Sequence, residues 1–193
     1  MLFYKTIHDD GAANKIQLYI DMKKINKNKG ILFWITGLSG SGKTTISEEI
    51  TKKISKKYGD TINISGDDLR KIFNLKKYDR KSRLEYALLY SKFCKLIVNE
   101  KINLIFSTIS LFHKVRNWNK KNIDNYVEIF IKADLEKIIK LKKKKIYKKN
   151  KSIVGKNIKP EFPRSPHIII ENNFTKSSNK LSKELIRKIL ILR

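Results

Sequence analysis

The chain has 193 residues, 44 of them Lys or Arg against 18 Asp or Glu, for a formal net charge of +26. Such a charge raises nucleic acid or an anionic membrane as a first guess at the partner, yet a 40% hydrophobic and 10% aromatic content excludes a solvated basic tail and is ample for one buried core. Of the cations, 37 are Lys and only 7 are Arg, the reverse of what phosphate and base-edge recognition favours, so most of the charge reads as lysine spread over solvated faces.

The single cysteine, Cys94, cannot close an internal disulfide, and the three histidines, His8, His113 and His167, form no metal-site spacing with it. No apolar run reaches the roughly 20 residues that span a bilayer, and the N-terminus lacks the apolar core of a signal peptide. A cytoplasmic protein with no membrane partner is expected.

In chain order, residues 1–29 are polar and rich in Lys and Asn towards Gly30; they read as an N-terminal extension of unassigned role, and residues 30–193 as one domain. Apolar β-branched runs at Ile31–Thr36, Thr61–Ser65, Ile102–Thr108, Tyr126–Ala133 and His167–Glu171 are the expected strands. They alternate with amphipathic stretches. The helices expected there run about Thr44–Tyr58, with Gly59 in the left-handed terminating position, then a short one after Asp67, and Lys81–Asn99. Others follow near Phe112–Lys121, Asp134–Lys144 and Leu181–Leu192. This alternation predicts an α/β fold, a parallel sheet of about five strands sandwiched by helices. Residues 140–166, with the block Lys142 to Lys145 and three prolines, are too long and basic for an ordinary connection and are expected to form a basic lid.

Directly after the first strand stands Gly37-Leu38-Ser39-Gly40-Ser41-Gly42-Lys43-Thr44-Thr45, which satisfies G-x-x-x-x-G-K-S/T in its required strand-to-helix context. The glycines let backbone N–H groups wrap an anion at a helix N-terminus; Lys43 adds a charge at the β/γ position, and the Thr44 hydroxyl is placed to ligate Mg²⁺. The P-loop fixes the donor as a nucleoside triphosphate but leaves the acceptor open. After the second strand comes Ser65-Gly66-Asp67-Asp68-Leu69-Arg70. Asp67 is placed to accept a proton from a hydroxyl, to hold the metal, or to cap the next helix, and Arg70 could grip an anionic acceptor. After the third strand, Ser110 reads mainly as the N-cap of the helix that follows.

Taken together, GLSGSGKTT (Gly37–Thr45), GDDLR (Gly66–Arg70), TIS before an aromatic and basic stretch (Thr108–Arg116) and YVEIFIKADLE (Tyr126–Glu136) resemble the adenylylsulfate kinase family. The resemblance runs in one colinear order over about residues 30–172. It implies a P-loop kinase that uses ATP and Mg²⁺ to phosphorylate the ribose 3′-hydroxyl of adenosine 5′-phosphosulfate, with Lys43 and Asp67 as catalytic residues. By motif position it implies that Arg70 and Arg83 contact the acceptor's phosphate groups, that Tyr78 packs on its base, and that Tyr86, Ser110 and the lid residue Lys144 complete the acceptor site.

The departures cluster on the acceptor side. Ser65-Gly66-Asp67-Asp68 stands where the family commonly reads D-G-D-N; in Tyr78 to Leu89, Tyr86 replaces an adenine-reading Asn and Leu88 and Leu89 replace paired basic residues; Leu111 replaces a Pro. In the lid, R-D-P-K-G-L-Y becomes Leu141 to Tyr147, and Ile153 and Val154 precede Gly155 in place of an aromatic. The chain is also similar to a branch of kinase-like proteins found with bacterial capsule genes, whose acceptor is a cytidine diphosphoramidate. The expected partners are thus ATP and a small nucleotide, with a homodimer as an open alternative to a monomer. A non-catalytic P-loop protein that binds nucleic acid is the rival of another class, and the lysines show no RNA-module signature to support it.

Overall fold

The five residues of β1 (Leu32–Thr36) are all buried, as an apolar run shielded on both sides should be. In the computed structural model, which describes residues 26–141 and 153–191, β1 is the central strand of a five-stranded sheet in the order β2-β3-β1-β4-β5. The others are β2 (Thr61–Ser65), β3 (Asn103–Thr108), β4 (Tyr126–Lys132) and β5 (Ile168–Glu171), and every pairing is parallel. The helices are α1 (Lys43–Tyr58), α2 (Gly66–Ile72), α3 (Arg80–Asn99), α4 (His113–Asn122), α5 (Leu135–Lys140) and α6 (Ser178–Leu190). No helix among the described residues is long and apolar enough to cross a membrane.

Alternation along β1 sorts its side chains between two cores. Phe33 and Ile35 join Ile46, Ile50 and Ile54 of α1 and Leu181, Leu185 and Ile189 of α6 on one face. Leu32 and Trp34 join Leu69 of α2, Ala87, Tyr90 and Cys94 of α3 and Val115 of α4 on the other. A third, smaller cluster of Leu38, Leu111, Phe130, Ile138, Ile153, Val154 and Ile158 covers the carboxyl end of the sheet. Because β3 and β4 flank β1 on opposite sides, the chain reverses its direction of sheet growth at β1, and the crevice of such a sheet opens at that point, beyond the strands' carboxyl ends.

The expected strands and helices are present, with three local corrections. Gly59 takes a positive φ of 91°, but its ψ of −160° is extended, so the chain leaves α1 straight towards β2 instead of turning through the left-handed helical region. The helix expected to run from Asp134 to Lys144 is capped by the Asp134 side chain but ends at Lys140; a lysine block offers no carboxylates for i,i+4 pairs. Ser110 is not a helix cap. α4 starts at His113 with Phe112 in the cap position, and the Ser110 hydroxyl pairs with Thr108 Oγ1 at 3.0 Å. Of the expected lid, residues 142–152, Lys144 among them, lie outside the described residues.

Candidate active site

The P-loop is built by glycine conformation and by a strut from the far side of the sheet. Gly42 sits at the N-cap of α1 with φ 96°, in the left-handed region. A Cβ there would come 3.1 Å from Asn172 Nδ2, which donates to the Ser41 carbonyl at 3.0 Å and so ties the loop to the end of β5. Lys43 is buried, and its ammonium donates to the Leu38 carbonyl at 2.7 Å, folding the side chain back along the loop. The buried Ser41 hydroxyl has no hydrogen-bond partner among the described residues. Gly42, Lys43, Thr44 and Thr45, at the start of α1 where N–H groups lack intrahelical acceptors, line a cavity, the arrangement that binds phosphates.

One cavity joins this loop to the acceptor-side motifs. Ser39, Gly40, Gly42, Lys43, Thr44 and Thr45 line it from the P-loop, while Asp67, Arg70, Arg83, Tyr86 and Ser110 line it from α2, α3 and the end of β3. Gly37, Leu38, Ser41 and Tyr78 stand outside its wall. Leu38 is in the small core above the sheet.

α2 explains why Asp67 faces the cavity. Ser65 is the N-cap: its hydroxyl accepts from Asp68 N–H at 3.2 Å, and an Asp68 carboxylate oxygen accepts from Ser65 N–H at 2.9 Å, a complete capping box. Hydrogen bonds from the Ser65 side chain and backbone hold the Asp68 carboxyl below its ordinary value. Asp68 is thus committed to the helix end, and Asp67 is relieved of the capping role open to it in the sequence. Gly66 is required here, because a Cβ would come 2.9 Å from Thr108 Oγ1.

The two arginines and two tyrosines form one stack at the cavity mouth. The Arg70 guanidinium lies 4.2 Å from the Tyr78 ring centroid and 5.2 Å from that of Tyr86, and Arg83 lies 5.2 Å from Tyr78. Arg70 Nη1 donates to the carbonyls of Leu75 at 2.6 Å and Lys77 at 3.0 Å; Arg83 Nε donates to the Tyr78 carbonyl at 2.7 Å. Burial, then the neighbouring Arg70 charge, draw Arg83 below the usual guanidinium range. An anion placed here would relieve that repulsion.

Sequence reasoning missed three residues that shape the cavity. Tyr90 lines its floor, and its position four residues after Tyr86 on α3 was a usable signal. Asn172 braces the P-loop. Glu161 pins the C-terminal part of the expected lid: its carboxylate accepts from His113 N–H at 2.5 Å and pairs with Arg80, while its own N–H donates to the Leu111 carbonyl at 3.0 Å. Contacts this distant in sequence leave no local trace.

With the geometry established, likeness to known proteins becomes informative. The profile of the family described as adenylylsulphate kinase matches residues 29–171. The cytidine diphosphoramidate kinase of Campylobacter jejuni is 37% identical over 171 residues, covering 86% of this chain and 99% of that protein. An adenylyl-sulfate kinase of Clostridium kluyveri is 32% identical over 158 residues, covering 78% of this chain and 79% of that one. Among solved structures, the Mycobacterium tuberculosis APS kinase in complex with AMPPNP and APS superposes with a TM-score of 0.73 at 22% identity over 84% of this chain and 98% of that chain, a likeness of fold.

Proposed function

The chain belongs to the adenylylsulphate kinase family, and from that premise we propose that it phosphorylates the ribose 3′-hydroxyl of cytidine diphosphoramidate with ATP as donor. That it is an ATP-dependent phosphotransferase follows from the family and its relatives, all named kinases. The observation that carries the acceptor is Tyr86 on the cavity wall. A phenol where the family commonly has an adenine-reading amide removes a base-edge hydrogen bond and fills volume, and both changes favour a smaller pyrimidine. The 37% identity with the Campylobacter enzyme across nearly its whole length supports the same acceptor. Adenosine 5′-phosphosulfate is the second reading, favoured by the family profile and the Clostridium relative.

In this mechanism the protein positions and neutralises; the phosphoryl group passes directly in line from ATP to the hydroxyl. The N–H groups of the Gly37–Thr45 loop cradle the donor phosphates. Lys43 turns from the Leu38 carbonyl to the β and γ oxygens, replacing a neutral acceptor by a charged one. Asp67 accepts a hydrogen bond from the 3′-hydroxyl, aiming its lone pair at the γ-phosphorus and taking its proton as the new bond forms. Arg70 and Arg83 hold the acceptor's anionic groups. The Thr44 hydroxyl and the Asp67 carboxylate are hard oxygen donors lining the same cavity, the kind of ligand that Mg²⁺ takes, and the ion would supply charge neutralisation on the donor phosphates when bound.

The test is ADP release with cytidine diphosphoramidate and adenosine 5′-phosphosulfate offered side by side. The proposal expects kcat/KM at least about tenfold higher for the cytidine compound, about 1.4 kcal/mol of transition-state preference. A preference for the adenosine compound overturns the acceptor, and turnover of neither overturns the reading as a whole.

A further inference from the structure

Tyr90 belongs to the hydrophobic core by its ring, and the residue also lines the cavity. The side chain is only 4% exposed, and its ring packs on Phe106 with centroids 5.8 Å apart and planes at 56°. On its other side the ring edge abuts the turn that carries Asp67: a Cβ on Gly66 would lie 3.5 Å from Tyr90 Cε2. The hydroxyl is buried, has no hydrogen-bond partner among the described residues, and belongs to a residue lining the same cavity as Lys43, Asp67, Arg70 and Arg83. A phenol buried without a partner is disfavoured by a loss comparable to a whole hydrogen bond. Phenylalanine would pack as well on Phe106 without that penalty, so the oxygen needs a reason.

We propose that Tyr90 is an acceptor-binding residue whose hydroxyl donates a hydrogen bond to an anionic oxygen of the nucleotide held by Arg70 and Arg83. The neighbourhood selects that ligand chemistry. The two guanidiniums are donors only and draw an anionic oxygen to the wall they share with Tyr90. Burial raises the phenol above its ordinary value, against the pull of Arg70, so it remains a protonated donor at neutral pH. Tyr86, one helical turn earlier, lines the same cavity, so one face of α3 presents both tyrosines to the acceptor.

This inference rests on the acceptor-site reading above, and Tyr90→Phe tests it separately from the acceptor's identity. Cytidine 5′-diphosphate, a stable nucleotide with two anionic groups, is titrated calorimetrically into wild type and variant alongside a non-hydrolysable ATP analogue. The expected result is affinity for cytidine 5′-diphosphate weakened about tenfold or more, the worth of one buried hydrogen bond to a charged group. Affinity for the ATP analogue stays unchanged, and Tm does not fall, because the variant sheds an unpaired buried hydroxyl. Equal affinity for cytidine 5′-diphosphate in the two proteins, no binding of it to wild type, or an equal loss for the ATP analogue each overturns the proposal. If wild type turns over neither candidate acceptor while the tenfold contrast persists, the functional reading fails and the Tyr90 contact stands.

Discussion

Arg116 on α4 and Glu128 on β4 face each other in the interior, Nε to Oε1 3.4 Å, with side chains 4% and 1% exposed. The arginine's Nη2 reaches on to the carbonyl of Glu161 at 2.6 Å, so an interior cation ties the sheet to the C-terminal part of the expected lid. Burial pushes the Glu128 carboxyl up to about 7, with Arg116 and then Lys120 opposing it. The folded chain therefore holds a proton there that the unfolded chain releases near 4.5, and the stability it contributes falls as pH rises between those values. Glu128→Gln removes the titration. Chemical denaturation from about pH 5 to about pH 8 is expected to show the variant gaining on wild type by up to about 3 kcal/mol. Parallel stability curves would contradict this account of the pair.

Neighbouring carboxylates Asp67 and Asp68 are expected to separate cleanly under substitution. Asp68→Asn weakens the capping box, lowering stability by about 1 kcal/mol in a urea melt and leaving most turnover intact. Asp67→Asn leaves the cap whole and lowers kcat about a hundredfold or more, with an unchanged melt. The opposite pattern would assign the catalytic carboxylate to Asp68.

Arg70→Lys tests the stack at the cavity mouth. A lysine carries the charge but cannot bridge the Leu75 and Lys77 carbonyls while lying flat between two tyrosine rings. Steady-state kinetics are expected to show the acceptor KM rising about tenfold with the KM for ATP unchanged. Retention of the wild-type acceptor KM would mean that charge alone suffices.

Glu161→Ala is expected to cost about 1–2 kcal/mol, because the His113 N–H and Arg80 lose their shared acceptor. Hydrogen bonds from His113 and Arg80 outweigh the raising effect of burial and hold this carboxyl below its ordinary value, so its contribution is present at neutral pH and fades as pH falls through the acid range. Limited tryptic proteolysis after Arg164, which Ser165 follows, should accelerate in the variant. An unchanged digestion rate would show that other contacts hold the segment.

Much of the donor half was legible because its determinants are local. A β-branched run predicts β1 wherever it is buried, and the glycines of Gly37–Thr45 dictate a left-handed turn into α1 through their own backbone freedom. The acceptor half was harder for a matching reason. Ser110 has a capping side chain in a plausible place, yet its hydroxyl pairs with Thr108 and the helix starts only at His113, with Phe112 in the cap position.

The sequence by itself determined the parallel α/β sheet, the phosphate loop and the family, because each rests on periodicity or on residues adjacent along the chain. Tertiary structure alone decided that Asp68 is committed to the helix cap while Asp67 lines the cavity, that Arg70 packs against tyrosines eight and sixteen residues away, that Tyr90 lines the cavity, and that Asn172 braces the P-loop. Those are contacts between segments brought together by packing, and their free energy depends on burial and geometry that no local pattern encodes. The charge of +26 divides along the same line. Composition fixed its size, whereas the fold buried Lys43 and Arg116 and gathered Arg70 and Arg83 around the cavity that the P-loop lines.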